Sequence, residues 1–183
     1  MDLNALSHWQ QLSFCAALCE RSFPNFQLFC EIEGQEEEYN QARKILNKAW
    51  EYLRGQLSSL KNIEKQLEPL NELIPEPGNY EHFGAYPAMD AMIALQSCIQ
   101  GILDDSIHDA CALQTMTHER LEEVLELQGQ TKQNSELWAR QLSFEKEALE
   151  IIEAKISHAE AIKQLIPLSH DQGVSQLGIC LND

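Results

Sequence analysis

Apolar residues recur every three or four positions along most of the chain, which is the spacing of an amphipathic α-helix. No stretch alternates between apolar and polar residues for long enough to predict a strand. We therefore expect an all-α protein, a single compact bundle of about seven helices with a long C-terminal helix. The expected domain is 1–183, and the alternative is a subdivision near 75–86, where prolines and a glycine favour a turn.

Prolines set the predicted ends of the early helices. Pro24 disfavours helical backbone at the residue before it, so the first helix is expected to end near Ser22. Pro24 then suits the first turn of a short second helix, which is expected to end at Gly34. Helical spacing continues over 58–74, and Pro69 is expected to kink or divide that helix.

Three longer helices are predicted in the second half of the chain. The first covers 87–103, and the second runs from a cap at 104–106 to about Leu127. The last covers 135–166, or about 48 Å if it is unbroken. Its two adjacent apolar stripes predict a wide face of the kind that bundles and dimers bury. After Pro167 the tail is expected to pack down as an extended or short helical segment.

The charge balance limits the partners that the protein can bind. Thirteen basic and 29 acidic residues give a formal net charge of -16, which repels nucleic-acid phosphates and anionic lipid surfaces. The apolar runs are far shorter than the roughly 20 residues of a membrane span, and the first residues lack the basic opening of a signal peptide. We expect a cytoplasmic protein that binds neither nucleic acid nor membrane. The acidic runs at 31–38, 119–126 and 145–153 are expected to be solvated helix faces.

Cysteine and histidine residues predict neither disulfides nor a metal site. The six cysteines form no CxxC pair and lie mostly inside apolar helical patterns, which is typical of buried, reduced thiols in the cytosol. No HExxH motif is present, and the closest local set of metal ligands is Asp104, His108 and Cys111. Because Asp104 is expected to precede the helix, the three should not share a face. We expect no cofactor and no metal.

The segment FGAYPAMDAMIAL, residues 83–95, places an aspartate inside an apolar helical run. If Tyr86 caps this helix and Pro87 opens it, Asp90 lies just beyond the first turn. A carboxylate there is favoured by about 0.3 to 1 kcal/mol. The spacing also puts Asp90 on the same stripe as Ser97, which predicts a polar face. The functional alternative is a cleft lined by Asp90 with Tyr86 at its mouth.

Glu20 and Arg21 are the second pair of candidate site residues. They lie near the predicted end of the first helix, where Arg21 suits the negative end of the helix dipole and Glu20 does not. Glu20 should therefore have a specific hydrogen-bond donor. Arg21 could bind Asp90 through two hydrogen bonds if the two halves of the chain meet. A structural ion pair is the simplest interpretation.

Two stretches carry a family resemblance. HWQQLSFCAALCERSFPNFQLFC (8–30) and FGAYPAMDAMIAL (83–95) resemble the YjaG-like family of uncharacterised bacterial proteins, domain of unknown function 416, and the terminal QLGIC is similar to that family's ending. The matching positions are Trp9, Gln10, Phe14, Cys19, Glu20, Arg21, Pro24, Asn25, Cys30, Gly84, Tyr86, Pro87, Ala88, Asp90, Ala91, Ala94, Leu95, Gly178 and Ile179. Cys15, His108 and His118 depart from the pattern. The resemblance implies a compact all-helical bacterial protein and no established activity.

Three functions fit the sequence. It holds no phosphate loop, no nucleophile elbow and no dinucleotide fingerprint, so we expect a non-catalytic helical interaction or accessory protein. Its expected partner is a second copy of the chain, and another protein is the alternative. The second function is a small-molecule-binding or hydrolytic protein with a polar site near Glu20, Arg21, Tyr86 and Asp90. The third is an acidic regulator of a basic protein, which requires the carboxylates to cluster on one surface.

Overall fold

The described part of the chain, residues 2–57 and 59–181 of a computed structural model, is built from α-helices, which confirms the predicted all-α class. Among these residues, none of the helices combines the length and apolar character that crossing a membrane requires. The only pairing of extended backbone within them is one antiparallel bridge between Val174 and Cys180. The α-helices in the described part of the chain are α1 (His8–Glu33), α2 (Glu36–Leu53), α3 (Leu60–Glu64), α4 (Leu67–Leu73), α5 (Ala85–Leu103), α6 (Ala110–Leu127), α7 (Glu136–Glu153) and α8 (His158–His170).

Helix α1 is the central element of the bundle. It packs most extensively against α5 and also contacts α2, α6, α7 and α8. Small residues allow the close approach of α5: a Cβ on Gly101 would lie 2.6 Å from a methyl group of Leu12. Further along the same contact, the Cys19 thiol lies 3.7 Å from the carbonyl oxygen of Ala91. The side chains of α1 therefore face other helices on nearly every side.

The predicted end of the first helix near Ser22 is wrong, because α1 continues through Pro24 and ends only before Gly34. A proline inside a helix costs about 3 kcal/mol, since it removes a hydrogen bond and crowds the preceding turn. Burial of an aromatic side chain contributes about 1.5 to 3 kcal/mol, and Phe23 and Phe26 beside the proline are both 1% exposed. Core packing outweighs the local penalty. The predicted end at Gly34 is confirmed by its left-handed φ of 70°.

Of the helix predicted over 58–74, residue 58 lies outside the described residues, and 59–74 divide into α3 and α4, as predicted, but the break lies before Pro69 rather than at it. Pro69 occupies the first turn of α4, where its missing N–H is tolerated. The start predicted for the next long helix is also wrong: α6 begins at Ala110 instead of 104–106. Asp104 accepts hydrogen bonds from the backbone N–H and the hydroxyl of Ser106, and so closes a turn before the helix.

The single long helix predicted over 135–166 is two helices. The backbone becomes extended at Ala154, and the Ser157 side chain caps the start of α8. Helix α8 then passes through Pro167 and ends at His170. Because α7 and α8 pack against each other and against α1, most of the wide apolar face predicted here is covered within the chain, and Leu142 and Ile156 stay 44% and 40% exposed.

The tail folds back onto the bundle, as predicted. Asp171 and Gln172 both have positive φ, at 44° and 56°, and they reverse the chain after α8. Ser175 and Gln176 beyond them are buried. The side-chain amide of Asn25 donates a hydrogen bond of 3.2 Å to Gln176, which fixes the tail against the middle of α1.

Candidate functional site

The four candidate site residues lie in three different sets of contacts. Glu20, Arg21 and Asp90 are buried, and Tyr86 is 43% exposed. Tyr86 and Asp90 are brought together through Arg120. The possible ion pair between Arg21 and Asp90 does not form. Among the described residues, Arg21 pairs with Asp171, and Asp90 pairs with Arg120. Glu20 belongs to a third set.

Asp90 forms a two-point ion pair with Arg120. Nε of the guanidinium lies 2.6 Å from one carboxylate oxygen, and Nη2 lies 3.3 Å from the other. The expectation that Asp90 occupies a polar face is wrong, because α6 supplies this arginine and Asp90 is only 5% exposed. The Arg120 guanidinium also lies 5.1 Å from the ring centroid of Tyr86 and 5.7 Å from that of Phe83. We call Phe83, Tyr86 and Arg120 the aromatic–arginine patch.

Burial acts on both partners of this pair, and it raises the pKa of Asp90 even though the hydrogen bond and the charge of Arg120 lower it. Burial alone would lower the pKa of Arg120, but the hydrogen bond and the charge of Asp90 outweigh burial and raise that pKa. Arg120 also pairs with Glu123 on the exposed side of α6. The Asp90 carboxylate is therefore occupied by a structural partner rather than free to act as a base.

Glu20 has the specific donors that its position predicted. Nη1 of Arg43 lies 2.8 and 2.9 Å from its two oxygens, and the indole N–H of Trp50 donates at 2.9 Å. Nδ1 of His170 lies 3.5 Å away. The Arg43 guanidinium also lies 4.0 Å from the ring centroid of Phe23, so α1, α2 and α8 meet at one charged cluster.

Arg21 connects α1 to α7 and to the residue after α8. It donates to Asp171 and to Gln141, both at 3.0 Å, and it lies 4.4 Å from the ring centroid of Phe144. Asp171 accepts a second hydrogen bond from Arg140. Burial would raise the pKa of Asp171, but the hydrogen bond from Arg140 and the charges of both guanidinium groups lower it below its usual value.

The Arg21 contacts continue into a buried polar network. Glu145 accepts hydrogen bonds from Gln141 at 2.7 Å and from Gln114 at 2.8 Å, and His118 Nε2 lies 2.8 Å from it. Glu145 is 4% exposed, so the expectation that the whole run 145–153 is a solvated face is wrong at this residue. Such a network rigidifies the contact between α6 and α7 because its polar atoms satisfy each other.

The cysteines offer no activated nucleophile among the buried set. Burial raises the pKa of the Cys30 and Cys98 thiols to about 12, and it raises the pKa of Cys15 and Cys19 well above the ordinary value. A thiol with a raised pKa is not a thiolate at neutral pH and reacts slowly. Among the described residues, no three His, Cys, Asp or Glu side chains are placed to hold a metal ion.

Sequence reasoning missed the partners rather than the candidates. The partners of Glu20, Arg21 and Asp90 are supplied by residues 23 to 150 positions away, and local spacing carries no signal for contacts of that separation. One weak signal was available. The chain has only five arginines, so the two candidate carboxylates, Glu20 and Asp90, had few guanidinium groups to pair with.

Fold and contacts together define an all-helical protein whose buried charges pair with one another around a central helix. Residues 1–180 match the model of a family described as a protein of unknown function, DUF416. The chain belongs to the DUF416 family, whose relatives include the proteins named YjaG. The predicted resemblance is confirmed.

Relatives and a solved structure agree with this assignment. An uncharacterised protein of Haemophilus influenzae Rd is 44% identical over 101 residues, which is 55% of this chain and 51% of that protein. Uncharacterised protein YjaG of Escherichia coli K12 is 36% identical over 103 residues, or 56% and 52% of the two chains. The matched part thus spans about half the length of these relatives. A crystal structure of a DUF416 family protein from Shewanella baltica OS155 is 29% identical, covers 98% of this chain and 96% of that one, and has a TM-score of 0.82.

Proposed function

We propose that this protein is a non-catalytic helical interaction protein of the cytoplasm that works as a homodimer through the aromatic–arginine patch. The observation that carries the proposal is Tyr86. It is 43% exposed on a helix that is otherwise mostly buried, and it lies beside an arginine whose guanidinium is held in place. The four buried free cysteines at 15, 19, 30 and 98 support a reducing compartment.

The composition of the patch is that of an interface. Tyrosine, phenylalanine and arginine are enriched in the energetically important centres of protein interfaces. Asp90 fixes Arg120 before any partner binds, so little side-chain entropy is lost on association. Leu127, 70% exposed, lies seven residues after Arg120 and hence on the same face of α6. Leu127 therefore adds an exposed apolar side chain along the side of α6 that carries Arg120.

A second copy of the chain is the partner that the charges favour. In a two-fold contact the patch faces its own copy. Arg120 and the exposed Glu123 supply both signs of charge, so the two copies can exchange ion pairs across the axis. The cation of Arg120 matters because the net charge of -16 repels two copies elsewhere on their surfaces.

The test is the oligomeric state of the full chain by mass photometry and light scattering. Wild type is expected to be a dimer, and Tyr86→Glu combined with Leu127→Glu is expected to make it a monomer. Ile156→Glu is the matched control, because Ile156 is 40% exposed but lies near Trp9, toward the other end of α1. A monomeric wild type, or a dimer lost only in the control, would overturn the patch as the dimer contact. A monomer that also retains no partner from native lysate would overturn the interaction function.

A further inference from the structure

A cleft opens beside Glu20, between the end of α2 and the end of α8. Its volume is about 300 Å³, at the lower limit of cavities that hold small molecules. We call it the Glu20 cleft. Two arginines, Arg43 and Arg54, line it together with His170, and Trp50 and Ile166 supply apolar wall. It is separate from the aromatic–arginine patch, so its role does not depend on the proposed dimer.

Arg54 is the exceptional residue of the Glu20 cleft. The other four arginines of the chain each pair with a carboxylate in the structure. Within the described residues the Arg54 guanidinium has no ion pair and no hydrogen bond, and its Nε is buried without a partner. A protein with a net charge of -16 offers many carboxylates, so an unpaired arginine in a cleft is available to an external anion.

Arg43 is held so that it can contribute to the same anion. Both of its hydrogen bonds to Glu20 come from Nη1, and Nη2 has no hydrogen bond to any described residue. Glu20 is 4% exposed and also accepts a hydrogen bond from Trp50. Its carboxylate therefore orients Arg43 and Trp50, which line the cleft. Glu20 therefore acts as a positioning residue for Arg43 and not as a ligand contact.

We propose that the Glu20 cleft binds a small monocarboxylate with a short apolar body. The carboxylate would take the free donors of Arg54 and Arg43, and the apolar body would lie against Trp50 and Ile166. A phosphate dianion fits less well, because Glu51 also lines the cleft and adds a negative charge to that of Glu20. The volume of about 300 Å³ favours a short-chain acid such as hexanoate.

A purely structural role for Arg54 gives a distinct expectation. Arg54 follows the last residue of α2. A cation at the negative end of a helix stabilises that helix. If helix stabilisation were the whole role of Arg54, its replacement would lower stability without changing the response to any carboxylate.

The experiment is calorimetric titration of the full chain with hexanoate, using hexanamide as the uncharged match and inorganic phosphate as the alternative anion. Saturable binding of hexanoate alone is expected. Arg54→Gln is expected to weaken it at least tenfold, and Lys146→Gln, at a lysine 77% exposed on α7, is expected to leave it unchanged. Equal binding of hexanamide, stronger binding of phosphate, or equal effects of the two substitutions would overturn the proposal.

A second variant keeps the test decisive if Arg54→Gln fails to fold. Asn47 lines the cleft and is exposed, so Asn47→Trp can narrow the cleft without disturbing the core or removing either arginine. Hexanoate binding is expected to be lost in this variant while its melting temperature stays near that of wild type. Undiminished binding in Asn47→Trp would place the carboxylate elsewhere and overturn the proposal. Mass photometry is expected to give Arg54→Gln the same oligomeric state as wild type. A loss of hexanoate binding can then be told apart from a loss of the proposed dimer.

Discussion

Arg21, in the middle of α1, donates a hydrogen bond of 3.0 Å to Asp171, 150 residues later in the chain. The residues next to them also meet, since Nδ1 of His170 lies 3.5 Å from Glu20. Two consecutive residues of the central helix thus contact two consecutive residues at the end of α8. Asp171 has a φ of 44°, a left-handed conformation that costs a non-glycine residue of order 1 kcal/mol or more. The ion pairs offset that cost and fix the end of the bundle.

Replacement of Asp171 by asparagine is expected to make the protein less stable at neutral pH and less sensitive to acid. The folded-state pKa of Asp171 is lowered, so its contribution is present above the unfolded value of about 3.9 and is lost as pH falls through the folded value. Because the side chain is 36% exposed, the loss at pH 7 should be about 1 kcal/mol. Urea unfolding at pH 7, 5 and 3 measures it, with the exposed Asp105→Asn as control. Parallel pH profiles for both variants would contradict this role.

Glu20→Ala is expected to destabilise the fold by about 1 to 3 kcal/mol, because it leaves the buried indole N–H of Trp50 and the Arg43 guanidinium, 26% exposed, without their acceptor. Arg43 would lose both of its hydrogen bonds to Glu20, and the Trp50 indole N–H would lose its acceptor, Oε2 of Glu20. Glu20→Gln keeps an amide oxygen for the Trp50 indole and should lose less. Chemical denaturation of the three proteins measures the difference. Equal losses for alanine and glutamine would show that the hydrogen bond from Trp50 contributes nothing.

The helical class follows from apolar spacing, and so do α5 and the end of α1 at Gly34, because each depends on residues within a few turns of one another. Pro24 shows where local rules fail. The free-energy penalty of a proline inside a helix can be predicted from the local sequence. The burial that outweighs this penalty comes from helices distant in sequence, and local sequence does not predict it. The break at Ala154 escaped detection for the opposite reason, since its apolar stripes continue on both sides without a glycine or proline.

The candidate site shows the same limit in its charges. Position alone indicated that Glu20 requires a donor, and the structure supplies Arg43 and Trp50. Position could not indicate that Asp90 is buried, because that depends on α6 lying across α5 with Arg120 facing inward. A lone acidic residue in an apolar helix thus predicts that a partner exists. Which residue supplies that partner depends on the tertiary structure.

Thiol reactivity is expected to divide the cysteines into two classes. Cys111 and Cys180 are exposed, and the remaining cysteines, at 15, 19, 30 and 98, are buried with raised pKa values. A thiolate-specific reagent at pH 8 should modify two cysteines quickly and the other four only after denaturation. Cys111→Ser with Cys180→Ser is the control and should abolish the fast phase. Fast modification of a third cysteine would show that α1 or α5 opens more readily than its burial indicates.

Pro24→Ala is expected to stabilise the protein by about 1 kcal/mol. Alanine is favoured over proline inside a helix by about 3 kcal/mol, and Pro24 is buried within the continuous α1. Loss of the two buried ring carbons costs about 0.8 kcal/mol each. The small cavity that is left costs roughly a further fraction of a kcal/mol and so lowers the net gain. Pro69→Ala is the matched control, because Pro69 lies in the first turn of α4 and should give no gain. The urea midpoints of both variants decide the matter. A clear loss of stability in Pro24→Ala would show that the core requires the bend that proline imposes on α1.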